Sequence, residues 1–188
     1  MTLDLIVRTY IRRVRPRAQA ELDWFIRQPT LRDATKNAAL ARSSKGKRYS
    51  HQRRTKRAAI QEALSILPNE SDRIKRCRTF AELFKLIDTA LEDVSGIGEL
   101  YVYDTSLRIG AKLNLFPEKV YLHAGTRLGA RALGLPNVPT LSVSEFPKEF
   151  RALKPHEIED ALCIFKDEFA SSRRIPVPAD PTRRSWCG

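Results

Sequence analysis

The chain passes through Gly96-Ile97-Gly98 between two long runs of helical spacing, and that juxtaposition leaves it few ways to fold. Upstream, Phe80, Leu83, Phe84, Ile87, Ala90, Leu91 and Val94 recur at intervals of three and four, the spacing of one apolar helix face. Thr79 and Glu82 form a capping box that sets where this helix begins, and the regular stripe predicts that it is central to the core. Downstream, a second helix is predicted from Glu99 to about Leu113. Two glycines around one apolar residue keep side chains out of the bend. They present backbone N–H groups at a helix start, where the helix dipole also favours an anion. The stretch from Val94 to Leu135 holds six of the eight glycines, three of the five tyrosines and one of the three histidines.

The charge points to what that anion is. Residues 1–57 hold 16 Lys and Arg against 4 Asp and Glu, a net of +12, whereas residues 58–188 hold 18 of each. An excess confined to the first third predicts a polyanionic partner, and a nucleic-acid phosphate backbone fits best. The basic segments lack a large apolar face, which disfavours a membrane surface, and no run of about 18 apolar residues predicts a membrane span. Leu5, Ile6 and Val7 run directly into arginines rather than into a signal-peptide core, as expected of a cytoplasmic protein. Cys77, Cys163 and Cys187 are far apart, as are the histidines. The pattern suggests neither a disulfide framework nor a metal site, and the reading takes no cofactor.

The remaining pattern predicts an all-α domain. Residues 2–28 read as a helix that Pro16 kinks or breaks, and Thr30 caps a short helix to about Ala41. Half of residues 42–57 are basic. A loop over 42–50 is predicted to lead into a helix capped by Ser50 and running to Pro68. In such a helix Arg53, Arg54 and Arg57 share one side and, with Lys47 and Arg48 of the loop, would track a phosphate backbone. After a break at Asn114 to Pro117 come a short apolar stretch, Val120 to Leu122, and a helix from Gly125 through Leu133. A loop over 134–143 and helices near 144–152 and Pro155–Phe169 follow, with no convincing strand pairing. In domain terms, residues 1–57 form a basic helical segment, 58–169 a core, and 170–188 a disordered tail rich in Pro and Arg, with 1–169 one domain.

The run L-x-x-V-S-G-I-G-E-L resembles the helix-hairpin-helix motif of DNA-binding proteins, whose turn amides grip one DNA strand. With the V-Y-L-H-A-G-T-R-L-G-A-R-A-L-G-L stretch that follows, residues 79–135 are similar to the helix-hairpin-helix family of base-excision DNA glycosylases. The resemblance implies that Gly96, Ile97 and Gly98 bind DNA and that a nucleotide is flipped out of the duplex. This chain departs from the family at two places. Bifunctional members carry a lysine where Leu100 stands, so lyase chemistry is not implied. The family's catalytic aspartate would fall near Leu122 or His123, where there is no carboxylate.

If that carboxylate has moved, Asp104 is the first candidate, with Arg108 one turn on; Glu99 is the second. A carboxylate beside a flipped nucleotide stabilises an oxocarbenium-like sugar and orients water. His123 would protonate or hydrogen-bond the departing base, Tyr101, Tyr103 and Tyr121 would stack on it, and Thr126 and Arg127 would hold a flanking phosphate. The reading is a monofunctional DNA N-glycosylase with duplex DNA as partner and no obligate protein partner. Its target is an unusual base, damaged or enzymatically modified, a class that includes bases of modified phage DNA. The alternatives are a non-enzymatic helix-hairpin-helix DNA-binding protein and an RNA-binding factor. The enzyme requires a cavity lined by Asp104, His123 and tyrosines on the side of Gly96–Gly98. The binding module requires those side chains to be engaged in ion pairs.

Overall fold

Pro16 shapes the N-terminal helix without breaking it. The structure, a computed structural model, describes residues 1–172 and is all-α apart from one short strand pair. Helix α1 (Leu3–Thr9) passes into one π-helical turn, Tyr10–Val14, and then into α2 (Arg15–Ile26). Pro16 lies in the first turn of α2, where its missing N–H is not needed. The wider turn lets Arg15 N–H reach the carbonyl of Tyr10. A π turn holds an extra residue and so changes the phase of the side chains. Ile6, Val7 and Tyr10 consequently join one apolar cluster, while Leu22 and Phe25 join another.

Thr30 caps α3 (Leu31–Ala39) by accepting from Asp33 N–H. The helix expected from Ser50 begins only at Arg57. Residues 42–48 instead form a tight loop: Ser43 N–H donates to the Lys47 carbonyl at 2.8 Å, and Gly46 has a φ of +71°. One 3-10 turn, Ser50–Gln52, follows. Tertiary contacts of Tyr49, His51 and Gln52, described below, override the helical pattern here. Arg53 and Arg54 therefore precede α4 (Arg57–Ile66) and do not share a helix face with Arg57, although all three are exposed.

A 3-10 turn, Leu67–Glu70, and α5 (Ser71–Arg76) lead to α6 (Phe80–Leu91), whose expected capping box forms by half: Glu82 N–H donates to the Thr79 hydroxyl, but the Glu82 carboxylate accepts from Arg78 N–H rather than from Thr79 N–H. The helix after the glycine turn, α7 (Glu99–Leu113), is the central one rather than α6. It packs against α2, α3 and α6 and buries residues around its whole circumference, from Tyr101 and Val102 to Arg108 and Ile109. The first cluster, drawn from α2 to α7, surrounds it.

The second cluster joins the start of the chain to its later part. Ile6, Val7 and Tyr10 pack with Phe150, Ile158, Leu162 and Phe169. Contrary to expectation there is a strand pair: β1 (Val120–Tyr121) runs antiparallel to β2 (Thr140–Leu141). Helix α8 (Ala124–Ala132) packs on α9 (Pro155–Ile164) and α10 (Lys166–Ser172), and a Cβ at Gly129 would collide with the backbone of Leu162. In place of a helix over 144–152 there are two 3-10 turns, Val143–Glu145 and Lys148–Ala152, separated by Pro147, which has no N–H to extend the first. Residues 1–57 are shared between the two clusters. Of the tail expected at 170–188, the first three residues close α10 and those after 172 lie outside the described residues.

Candidate functional site

The glycine turn joins α6 to α7. Gly96 has a φ of +91°, which a side chain would resist, and Ile97 N–H closes the bend on the Val94 carbonyl at 3.1 Å. Gly98 is the residue before α7 and has no side chain to cap it. Both glycines are exposed.

Beside this turn lies a cavity of about 270 Å³ walled by Phe84, Tyr103, Tyr121 and His123, with Asp88, Glu99 and Arg127 also lining it. The aromatic rings form one group, with centroids 4.8 Å apart for Phe84 and Tyr121 and 5.7 Å for Tyr103 and Tyr121. Three of the side chains expected at a base pocket are thus brought together. The Tyr103 hydroxyl is buried with no hydrogen-bond partner among the described residues. A buried hydroxyl left this way is costly.

His123 is the residue before α8. Its backbone N–H donates to the Thr126 hydroxyl at 2.8 Å, and that hydroxyl returns a bond to the His123 carbonyl. Thr126 is fully buried, so it closes this cap instead of reaching a phosphate. Nε2 of His123 lies 2.5 Å from Glu159 of α9. Burial, together with the nearby Asp104 and Asp160 carboxylates, pushes the Glu159 carboxyl up to about 7 despite the His123 bond.

The other expected residues are placed differently. Glu99 and Arg127 are joined by two bonds of 2.7 Å, which hold the Glu99 carboxyl below its usual range. Arg127 is therefore committed to a carboxylate. Tyr101 donates its hydroxyl to the Ala39 carbonyl and lines neither cavity described here, which does not suit the stacking role expected of it. Arg48 is half-buried and clips its loop by donating to the Thr55 carbonyl at 3.1 Å, while Lys47 is exposed.

Asp104 follows Tyr103 on α7 but faces a second, smaller cavity of about 130 Å³. Its Oδ2 accepts three bonds: from His51 at 2.7 Å, Gln52 at 2.7 Å and Arg108 at 3.0 Å. Burial works to raise this carboxyl. The Arg108 guanidinium and the His51 and Gln52 bonds outweigh it and hold Asp104 well below the usual carboxylate range. Arg108 in turn lies 4.0 Å above the centre of the Tyr49 ring. The expected constellation is therefore divided: His123, Tyr103 and Tyr121 line one cavity, and Asp104 with Arg108 lines the other.

Phe84, Asp88, Glu159, His51 and Gln52 were not singled out from the sequence. Glu159 carries a usable signal, since it stands beside Ile158 and Ala161 within an apolar helix stripe. Among the described residues no group of three His, Cys, Asp or Glu side chains is arranged to hold a metal, and no helix is long and apolar enough to cross a membrane. No family model, no curated protein and no solved structure matches the chain.

Proposed function

We propose that the protein is a DNA-binding, base-excising hydrolase whose base pocket is the aromatic cavity beside the Gly96–Gly98 turn. The observation that carries this reading is the lining of that cavity, where the Phe84, Tyr103 and Tyr121 rings stand together with His123. Exposed Lys47, Arg53, Arg54 and Arg57 supply positive charge for the DNA backbone, and the turn amides grip one strand. A nucleotide flipped from the duplex stacks on Tyr121 and Phe84. The His123–Glu159 pair supplies the proton that leaves with the base. Asp88, exposed on the rim, replaces Asp104 as the carboxylate that stabilises the sugar cation and takes a proton from the attacking water. The target is a damaged or enzymatically modified base, a class that includes the bases of modified phage DNA.

The ion pairs of Asp104 with Arg108 and of Glu99 with Arg127 favour a second reading, a DNA-binding protein without catalysis. Incubation with unmodified, damaged and hypermodified phage DNA, followed by alkali, separates the two. Excision produces alkali-labile breaks on one substrate, and these disappear in Asp88→Asn and His123→Ala. Binding without breaks on any substrate leaves the non-catalytic reading, and no binding at low salt removes both.

A further inference from the structure

The second cavity has its own unmet hydrogen-bonding groups. Arg108 is 6% exposed, and its Nη1 has no partner among the described residues. His156, 7% exposed, likewise has an unpartnered Nδ1. Both line the cavity, together with the carboxyls of Glu159 and Asp160. Asp160 accepts the Tyr10 hydroxyl at 3.1 Å, and the rings of Tyr10, Phe25 and Tyr49 supply flat apolar walls.

Size and polarity narrow the ligand. A cavity of about 150 Å³ accepts a benzene ring, so a space of about 130 Å³ suits one six-membered ring and not a bicyclic purine or a nucleoside. An inorganic anion would meet Glu21, Asp104, Glu159 and Asp160. A bare cation would meet the Arg108 guanidinium and leave its Nη1 unpaired. A hydrocarbon ring would leave every polar group unmet. A ring that carries both a carbonyl and an amidine edge pairs with Arg108 Nη1 and with a carboxyl at the same time.

We propose that this cavity binds a free pyrimidine base, and that cytosine fits it best. The carbonyl oxygen of cytosine accepts from Arg108 Nη1. Its ring nitrogen and amino group form two parallel hydrogen bonds with a carboxyl on α9, the amino half of which is the contact that carboxylate side chains make with cytosine in DNA. Burial pushes Asp160 up to about 6, as it does Glu159, so a carboxyl here is able to keep a proton for the ring nitrogen near neutral pH. This site does not depend on base excision at the other cavity.

Calorimetric titration of the full chain with cytosine tests the assignment. Uracil, which lacks the amino group, and guanidinium chloride against sodium chloride at matched ionic strength are the comparisons. Ala18 lines the cavity, so Ala18→Leu fills the space without removing any hydrogen bond described here, and a cooperative melt shows that the variant is folded. Saturable cytosine binding is expected, about tenfold weaker for uracil and for Asp160→Ala, and absent in Ala18→Leu. No saturable binding of cytosine, binding untouched by both variants, or equal binding of guanidinium would overturn the proposal. Loss in Tyr121→Ala with retention in Ala18→Leu would put the base in the other cavity and overturn it as well.

Discussion

His123 and Glu159 share a hydrogen bond of 2.5 Å, and each lines a different cavity. The pair is a polar link between the two spaces. Burial is the main reason that the Glu159 carboxyl keeps its proton to about pH 7, against 4.5 for a free one. A carboxyl raised on folding contributes stability that is fully present below its unfolded value and lost as pH rises through the folded value. Glu159→Gln should therefore gain on the parent protein between pH 4.5 and about 7. Urea midpoints at both ends of that window measure the difference. A constant difference across the window would mean that Glu159 titrates normally.

Asp104 behaves oppositely. Its carboxyl is held low, so its contribution is present above the unfolded value of 3.8 and disappears as pH falls below it. Arg108 is 7% exposed at its side chain, so removing its partner leaves a buried charge uncompensated. Asp104→Ala should cost about 3–5 kcal/mol in chemical denaturation at pH 7, and Asp104→Asn less. A neutral effect of Asp104→Ala would mean that the residue is held for chemistry rather than for the fold.

His156 packs against Phe116 with ring centroids 5.5 Å apart, and burial lowers it from 6.5 to about 4. A base lowered on folding loses its contribution as pH falls from the unfolded value through the folded one. The loss should reach about 3 kcal/mol between pH 6.5 and 4, and His156→Phe should abolish it. Asp160 titrates in the opposite sense within this window, since its carboxyl is raised. The comparison is therefore made between His156→Phe and the parent at each pH rather than from one curve.

Glu21 of α2 docks the basic loop. It accepts from Ser44 N–H at 2.9 Å, the Ser44 hydroxyl at 2.6 Å and the Tyr49 hydroxyl at 2.8 Å. Glu21→Ala should destabilise the protein by about 1–3 kcal/mol and speed tryptic cleavage after Lys45 and Lys47. Unchanged cleavage would show that His51 and Gln52 on Asp104 are enough to hold the loop.

The sequence was informative where local chemistry decides the outcome. Thr79 caps α6 as its position predicts, and the glycines of the turn lie between two helices at the expected positions. It misled where distant contacts decide. The run from Ser50 to Lys56 has no intrinsic bar to helix, yet His51 and Gln52 are held outside one by Asp104, a residue 52 or 53 positions away. The candidate site was half legible for the same reason. Spacing places Tyr103 and Asp104 on one helix, but only the packing of α2 and α9 around it gives them separate cavities. The partners of His123 and Asp104, Glu159 and His51, sit in segments whose local pattern says nothing of their distance in space.

The π turn at Tyr10–Val14 also orders events in time. It directs α1 into a cluster whose other members come from residues 120–169, whereas the cluster around α7 is built from residues 22–116. At ribosomal rates of about 5–20 residues per second, roughly eight to thirty seconds separate the synthesis of Tyr10 from that of Leu162. The α7 core has its full set of partners well before then. Ile6, Val7 and Tyr10 meanwhile remain without theirs, so a chaperone or an aggregating neighbour would find the nascent chain most vulnerable at the segment made first.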